Sequence, residues 1–474
     1  MVVFIVTKNN GDFVMKKYKL TAAQRMHNNW INRYGTQQVS GLSIVASLKA
    51  DLDFQLLKKC IELEIKRYGC MRVQFTKPDK NGEILQYIVE DKEYDIPLKD
   101  LSMLTMDEAN ATMQSWAYNT IDGDDIPMFE IFLMKLPDGY NGFFLHMDHR
   151  LIDSCGVTVL TNDIMSLYTH FRFDAPAPDD LADYEAVLMN DLKKASNEKR
   201  FLKDKKFWDD MLDKWGEPVY SDIAGPATLE ASRQKHNNPK LNSADIELKN
   251  LFVEVKDYKL EADAAKQLFD FCQNHQLSMT NLLLLGIRTY LSKGNNGQED
   301  ISIQNFISRR STHDEWTSGG SRTIMFPCRT VISPDTEFLD AAYEIQNMQN
   351  QIYMHSNYDP DLIYEEIARR YGTPKNTTYE SCYLTYQPLP VKMENPYLKD
   401  IPLYCKWFAN GAATKKMYLT VSHTEDGGMN FSYHYQVAEL NEKQVELFNY
   451  YLMRIIFRGI EEPSLSIGEI INIV

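Results

Sequence analysis

Residues 143–168 place a short apolar strand directly before an amphipathic helix, and this junction constrains the fold more than any other stretch. The segment reads FFLHMDHRLIDSCGVTVLTNDIMSLY, and its apolar opening follows turn-forming residues, which predicts a buried strand. Asp153 and Ser154 then supply helix-start chemistry. Apolar residues recur behind them at helical spacing: Val157, Leu160, Ile164, Leu167 and Tyr168. His149 therefore lies where the strand ends, and strand ends beside helix starts are where α/β proteins place reactive groups.

His149 and Asp153 are the candidate functional residues of this junction. A histidine in such a place accepts a proton near neutral pH, as general-base catalysis requires. Asp153 could fix the turn by pairing with an arginine from elsewhere in the chain. The alternative is that His149 is only a packed or capping residue, and spacing alone does not decide between the two.

Length and composition are those of an ordinary globular protein. The 474 residues have room for roughly two or three domains, and 44% of them are apolar and 25% charged. No apolar run approaches the ~20 residues that cross a bilayer. The five apolar residues Val2 to Val6 are too few for a signal peptide, so we expect a cytoplasmic protein. Seven scattered cysteines, without a CxxC pair, predict free thiols in a reducing compartment.

The formal net charge of −15 argues against several classes of partner. Nucleic acid needs a basic surface and anionic membranes repel an acidic one, so we expect neither. An acidic carrier protein would need a local basic patch, for which Arg309–Arg310 and Arg369–Arg370 are candidates, although each pair is also typical of solvated surface. His146 and His149 form HxxH without a cluster of other ligand types, so we predict no metal site.

Helix and strand patterns alternate in two blocks, which predicts an α/β, or layered α+β, fold. The first block covers residues 1–175. The Pro- and Asp-rich sequence FDAPAPDD at 173–180 is typical of a linker, and a charged helix follows within the connecting segment 176–246. Residues 216–246 have little periodicity, and we expect an exposed connection there. The second block covers residues 247–474.

Individual elements are predicted from their periodicity. Helices are predicted at 53–66, 106–118, 183–208, 261–272, 279–291, 338–355, 362–371 and 441–457. Strands are predicted at 41–48, 71–75, 84–89, 128–134, 143–149, 251–255, 301–307, 322–331, 380–386, 417–422 and 429–435.

DHRLIDS at 148–154 resembles the HHxxxDG signature of the condensation-domain and CoA-dependent acyltransferase superfamily, which includes the chloramphenicol acetyltransferases. Other motifs of that superfamily are matched in order. TAAQR at 21–25 resembles its SxAQxR motif, and RYGCMRVQF at 67–75 resembles its RHExLRTxF motif. Residues 308–332 resemble its second-lobe region with an arginine and a loop. The chain carries no adenylation, carrier or ketosynthase-like segment, so we expect a stand-alone member.

The resemblance implies two chloramphenicol-acetyltransferase-like lobes, 1–175 and 247–474, that form a V with the active site in the channel between them. In the family the second histidine of the signature is catalytic, and it matches His149. Asp153 matches the aspartate, whose role is structural through an arginine, and Arg72 of the upstream motif is the candidate partner. The resemblance also implies an acyl thioester on CoA or on a carrier protein's phosphopantetheine, a small amine or hydroxyl acceptor, and no permanently bound cofactor.

Two positions depart from the signature, since Asp148 replaces its first histidine and Ser154 its glycine. We expect Asp148 to lie behind His149 or at the surface, or else to raise the basicity of His149. Ser154 could narrow the site or supply a hydrogen bond, and Gly156 could restore the space. Backbone N–H groups from Ser154 to Gly156 are candidate donors to an oxyanion.

The sequence thus predicts an acyltransferase with His149 as general base, and two alternatives stay open. A catalytically weak relative would bind a thioester or a carrier protein as a scaffold or gatekeeper, which the residues Asp148, Ser154 and Pro327–Cys328 favour. A thiol enzyme would use Cys155 as its nucleophile, although a small buried cysteine is the ordinary occupant of such a helix position.

Overall fold

The structure, a computed structural model, describes residues 5–8, 14–90, 92–387 and 396–474. Residues 2–4, which belong to the apolar opening considered above, lie outside these ranges. Within the ranges, no helix combines the length and apolar character that spanning a bilayer requires.

Strands and helices alternate up to residue 195. The strands are β1 (Ile5–Lys8), β2 (Val14–Lys19), β3 (Gly41–Lys49), β4 (Val73–Phe75), β5 (Leu85–Ile88), β6 (Leu98–Asp100), β7 (Phe129–Lys135) and β8 (Tyr140–Asp148). The helices are α1 (Ala22–Tyr34), α2 (Phe54–Arg67), α3 (Met106–Ala117), α4 (Ser154–Phe173) and α5 (Tyr184–Ala195).

The remainder of the chain continues the alternation. Its strands are β9 (Ala244–Asp245), β10 (Val253–Leu260), β11 (Asp300–Ser308), β12 (Thr323–Val331), β13 (Thr377–Thr378), β14 (Cys382–Gln387), β15 (Leu403–Phe408), β16 (Met417–His423) and β17 (Met429–Gln436). Its helices are α6 (Glu198–Trp215), α7 (Ala227–Lys235), α8 (Ala262–Asn274), α9 (Met279–Gly294), α10 (His313–Thr317), α11 (Phe338–Met354), α12 (Pro360–Tyr371), α13 (Glu442–Glu461) and α14 (Ile467–Ile473).

The chain forms two compact units. Unit 1 comprises Met1–Asn197, Ser308–Thr323 and Val391–Gly411. Unit 2 comprises Glu198–Ile307, Ile324–Pro390 and Ala412–Val474. Two segments of unit 1 therefore come from within the range 247–474 that the sequence assigns to a second block. Because these two segments belong to unit 1, residues far apart in sequence meet inside it.

Unit 1 is built on a five-stranded sheet in the order β15–β3–β8–β7–β6. β8 lies at its centre and runs antiparallel to both β3 and β7. Phe143, Leu145 and Met147 face the core that α2 and α4 cover, whereas Phe144 faces a smaller core with α3. A second sheet of this unit has the order β1–β2–β5–β4.

Unit 2 is built on a six-stranded mixed sheet in the order β10–β17–β16–β14–β11–β12. β14 runs parallel to β11 and β16, whereas β17 runs antiparallel to β16 and β10. Of the parallel strands, β11 is largely buried, as expected for a strand covered on both faces. The α/β prediction with layered sheets is thus confirmed.

Two local predictions are wrong. The predicted helix at 183–208 is two helices, α5 and α6, because Ser196 and Asn197 interrupt it. Residues 216–246 are not an exposed connection, since they contain α7 and β9 and bury Tyr220 and Asp222. The Asp222 carboxylate accepts hydrogen bonds from Lys416 Nζ at 2.7 Å and from the Tyr220 hydroxyl at 2.8 Å. The polar composition of this segment predicted exposure, but its polar groups are paired inside the protein and can therefore be buried.

Candidate active site

The predicted strand-to-helix junction is confirmed, because β8 ends at Asp148 and α4 begins at Ser154. Asp153 is the N-cap of α4, and its Oδ1 accepts a hydrogen bond from the backbone N–H of Gly156 at 3.1 Å. His149 therefore lies on a short connection between a central buried strand and the first turn of a long helix.

His149 is held through its backbone, and its side chain is largely neutral. Its N–H donates to the carbonyl of Ser40 at 2.6 Å. The side chain is half-buried, and its Nδ1 is buried without a hydrogen-bond partner on any other described residue. Burial lowers the pKa of the imidazole below its usual 6.5, although the charges of Asp153 and Asp148 and a contact with its own backbone act the other way. The neutral form therefore predominates at pH 7.

The ring of His27, on α1, stacks on the ring of His149. The ring centroids are 4.2 Å apart and the planes differ by 17°, while Trp30 contacts His27 edge-on at 4.9 Å. One turn earlier, the side-chain amides of Gln24 and Gln86 exchange two hydrogen bonds of 2.9 and 2.7 Å, which anchor α1 to β5. Sequence reasoning missed His27. The available signal was its spacing of three residues from Gln24, which puts both on one helix face.

Asp153 forms a buried ion pair with Arg310. Its two carboxylate oxygens accept hydrogen bonds from Nη1 and Nη2 of Arg310, each at 2.8 Å. The backbone N–H groups of Arg322 and Thr323 also donate to Oδ2, both at 3.0 Å. Burial alone would raise the pKa of Asp153, but Arg310 outweighs it and holds that pKa well below the usual range. The carboxylate is therefore charged at any physiological pH.

The prediction that Arg72 pairs with Asp153 is wrong. Nη1 of Arg72 instead donates to the carbonyl of Val89 at 2.8 Å. Motif matching within the first block favoured Arg72, whereas the arginine that reaches Asp153 comes from segment 308–323, which packs into unit 1. The sequence did contain a signal for Arg310, because this residue lies in the region that resembles the superfamily's arginine-containing loop.

Two successive glycines let segment 308–323 pack tightly within unit 1. Gly319 and Gly320 have φ angles of +74° and +82°, which favour glycine. A Cβ on Gly319 would lie 2.5 Å from the Sγ of Cys70, so the backbone passes where no side chain fits. The carbonyl of Gly320 accepts a hydrogen bond from Nη2 of Arg310 at 3.2 Å. The loop thus orients the guanidinium that holds the junction.

Asp148 is buried, so its expected alternative place at the surface is wrong. Its carboxylate accepts hydrogen bonds from Nε and Nη2 of Arg150 at 3.0 and 2.9 Å, and from the hydroxyl of Ser40 at 3.1 Å. The Arg150 guanidinium lies 4.8 Å from the ring centroid of Phe75. Asp148 therefore clamps the loop behind His149, and its charge also raises the pKa of that histidine.

Ser154 and Gly156 occupy the first turn of α4 and differ in what they can contribute. Ser154 is half-buried. The N–H of Gly156 already donates to Asp153, so it cannot also serve an oxyanion. A Cβ on Gly156 would lie 2.6 Å from Cγ1 of Ile152. The carbonyl of Gly156 accepts a hydrogen bond from the Tyr68 hydroxyl at 3.2 Å. The space at Gly156 is filled by protein, and its predicted roles as oxyanion donor and as room for substrate are wrong.

The contacts of Cys155 and His146 are those of residues packed inside the protein. Burial raises the pKa of the Cys155 thiol, which disfavours the thiolate that a thiol mechanism needs. Nδ1 of His146 lies 2.7 Å from Oγ of Ser43, and the side chain is buried, as expected for a residue packed on the sheet. Across the ranges that the structure describes, His, Cys, Asp and Glu side chains form no group of three or more suited to a metal ion.

One arginine of each candidate pair is bound to carboxylates. The Arg310 side chain is buried against Asp153, which removes it from the surface. In unit 2, the guanidinium of Arg370 is surrounded by carboxylates, namely Asp209, Asp213 and Glu366. The charges of Arg310 and Arg370 are therefore balanced by neighbouring carboxylates.

A family model described as Condensation domain matches residues 14–473. Surfactin synthase subunit 1 of Bacillus subtilis (strain 168) is 20% identical over 466 residues, a match that covers 96% of this chain and 12% of that protein. Tyrocidine synthase 3 of Brevibacillus parabrevis is 22% identical over 345 residues, covering 72% of this chain and 5% of that protein. The chain therefore spans no more than about an eighth of the length of these two curated relatives.

Solved structures with the same fold include two condensation domains. A variant of the starter condensation domain of rhizomide synthetase, in complex with C8-CoA, has a TM-score of 0.77 at 15% identity, covering 95% of this chain and 96% of that one. VibH, described as an NRPS condensation enzyme, has a TM-score of 0.72 at 15% identity, covering 94% and 99%. At these identities the likeness shows the fold alone.

Proposed function

This chain belongs to the condensation-domain family, and from that membership we propose that it is an acyltransferase that moves an acyl group from a thioester to an amine or hydroxyl acceptor, with His149 as general base. The observation that carries the proposal is the state of His149. Its imidazole is half-buried at the end of β8, and burial lowers its pKa so that the base form is available at neutral pH.

The surroundings of His149 support this role because they fix its position. Asp153 and Arg310 brace the turn that follows, and Asp148 clamps it from behind. A general base must stay within hydrogen-bond reach of the proton it removes, so a rigid loop is an advantage. We therefore assign Asp153, Arg310 and Asp148 to positioning, and only His149 to proton transfer.

The reaction balances without a covalent enzyme intermediate. As the acceptor's nitrogen or oxygen attacks the thioester carbonyl, His149 takes the acceptor's proton, for which we propose Nε2 because Nδ1 is buried. The carbonyl oxygen becomes an oxyanion, which the N–H groups at the start of α4 near Ser154 could stabilise. The C–S bond then breaks, the thiolate leaves, and it recovers the proton from the imidazolium. The products are an amide or ester and a free thiol.

The donor is a thioester of CoA or of phosphopantetheine on a carrier protein. A similar structure supports the CoA thioester, since the rhizomide synthetase domain is described in complex with C8-CoA. The carrier-bound thioester is what the motif resemblance implies. We propose that the chain acts in secondary-metabolite or nonribosomal-peptide assembly. A cytoplasmic location stays a prediction from the sequence.

Thiol release tests the proposal. The protein is incubated with a panel of acyl-CoAs and of carrier proteins loaded with acyl-phosphopantetheine, each with and without amine and alcohol acceptors. We expect acceptor-dependent thiol release that the His149→Ala variant loses and that the His313→Ala variant keeps, because the His313 side chain is 77% exposed. Equal release by the wild type and His149→Ala would contradict the proposed base.

A second candidate function is a scaffold or gatekeeper that binds a thioester or carrier protein without turnover. It is favoured by Ser154, whose half-buried side chain stands where the family signature has glycine. Binding of a loaded carrier protein without thiol release from any donor and acceptor pair would favour this candidate over catalysis. A Ser154→Gly variant that then gained turnover would identify the serine as the cause.

A further inference from the structure

His27 and His149 form a stacked pair of rings inside unit 1, and no role has been assigned to His27 so far. We propose that His27 is a positioning residue that covers one face of the His149 imidazole and holds it in the orientation in which it accepts the acceptor's proton. This inference rests on the proposed role of His149 as the base.

The geometry of the pair favours a covering role. A centroid separation of 4.2 Å and an interplanar angle of 17° put the rings face to face in van der Waals contact. His27 is 2% exposed, and neither of its ring nitrogens has a hydrogen-bond partner among the described residues. The ring therefore contributes its face rather than a hydrogen bond. Trp30, edge-on at 4.9 Å, adds a second contact to the His27 ring.

Contacts at the N-terminal end of α1 fix the position of His27. Thr21 and Gln24 form a capping box at the start of α1, and the side chain of Gln24 also bonds Gln86 on β5. Gln24 and His27 are one turn apart on the same face, so the amide pair sets both the depth and the rotation of α1. A shift of this helix would move the ring away from His149.

The pair contains a single usable base. The charged and titratable groups that act on the two rings are Asp148, Arg150 and Asp153, on the loop that carries His149. Burial, and then the charges of His149 and Arg150, lower the pKa of His27 well below its usual value, so this ring stays neutral. Burial is also the largest influence on His149, and the His27 ring supplies part of that burial. Removing the ring should therefore let water reach His149 and raise its pKa.

NMR titration of the histidine ring signals in the 474-residue chain tests the inference independently of activity. His149→Ala identifies the His149 signal by its disappearance. We expect wild type and His27→Phe, which keeps an aromatic ring, to titrate below 6.5 at His149, and His27→Ala to titrate closer to 6.5. If His27→Ala does not fold, His27→Val, which removes the ring but keeps an apolar side chain, should shift in the same direction.

The outcomes separate this inference from the proposed function. An unchanged His149 titration in His27→Ala would overturn the covering role, and so would a His27→Phe variant that shifts as much as His27→Ala. If thiol release is measurable, the lower limb of its pH profile should move with the NMR value in each variant, while the Michaelis constant for the donor stays unchanged. Absence of thiol release in wild type would contradict only the proposed function, because the titration does not need turnover.

Discussion

The carboxylate of Asp153 and the guanidinium of Arg310 meet through two N–O distances of 2.8 Å, although 157 positions separate the two residues in the chain. Both side chains are buried, and the pair ties the start of α4 to segment 308–323 within unit 1. The residue proposed as the base is four positions from this pair. The ion pair is thus the link through which a distant segment holds the candidate active site.

Arg310→Met should destabilise the protein strongly, because it leaves the Asp153 carboxylate buried without its cation. We expect a loss of about 3–5 kcal/mol in the free energy of unfolding, measured by urea denaturation. Arg72→Met is the matched control, since its Nη1 donates to the carbonyl of Val89, and it should cost about 1.5 kcal/mol. Equal losses for the two variants would mean that the pairing of Arg310 is not the more important of the two.

Glu64 should make the free energy of unfolding fall as the pH rises. Glu64 lies on α2 and is fully buried. Burial, with the neighbouring carboxylate of Asp163 on α4, raises the pKa of Glu64 to about 10. Arg67 opposes this shift only partly, since its Nη1 lies 2.6 Å from Asp163 but 3.4 Å from Glu64. The folded state therefore keeps a proton that the unfolded state loses above about pH 4.3. Stability contributed by this group is complete below that pH and falls as the pH rises towards 10.

Glu64→Gln should remove this dependence, because an amide cannot ionise. Between pH 5 and pH 9, the free energy of unfolding of wild type should fall relative to that of the variant. The difference should change by at most about 1.4 kcal/mol per pH unit. Glu62→Gln, a change at a 37% exposed side chain on the same helix, serves as the control and should leave the two curves parallel. Parallel curves for Glu64→Gln as well would show that Glu64 is ionised in the folded protein.

Asp148→Asn should lower the pKa of His149. The carboxylate raises that pKa by stabilising the imidazolium, and the amide keeps the shape of the side chain but not its charge. The His149 ring signal should accordingly titrate at lower pH in the variant. Asp314→Asn, at a 74% exposed side chain, is the control and should leave the titration in place. An upward shift in Asp148→Asn would contradict the assignment of Asp148 as a neighbour that favours the charged ring.

Gly156→Ala should destabilise the start of α4. The added Cβ would lie 2.6 Å from Cγ1 of Ile152, and crowding of this kind costs about 1–3 kcal/mol. Ile152→Ala should relieve the crowding, so the double variant Ile152→Ala/Gly156→Ala should lose less than the sum of the two single losses. Additive losses would show that the backbone moves apart instead of the two side chains meeting.

Local pattern was sufficient to predict the strand-to-helix junction, because β8 and α4 are specified by their own apolar periodicity and by the cap at Asp153. The partner of Asp153 was not predictable in the same way. Arg310 reaches it through a loop that joins unit 1 from 157 positions away, and local pattern contains no information on such a contact. Arg72, nearer in sequence, satisfied the motif but binds a carbonyl.

Polar residues explain the other failures. His27 was not distinguished from its neighbours, since its importance comes from the ring it contacts and not from its helix position. Residues 216–246 were expected to be exposed because their composition is polar, yet Asp222 is buried and paired with Lys416. In both cases the deciding interaction is between residues far apart in the chain, whereas composition and periodicity report only on neighbours.

The role of His149 as the base is tested most directly by the rate of acylated product formation. Wild type, His149→Ala and His313→Ala are compared by mass spectrometry at pH 7 with the best donor and acceptor pair. Wild type should form one acylated product per thiol released, His149→Ala should be roughly 10²–10⁴-fold slower, and His313→Ala should be unchanged. A His149→Ala variant that forms product at the wild-type rate would contradict that role.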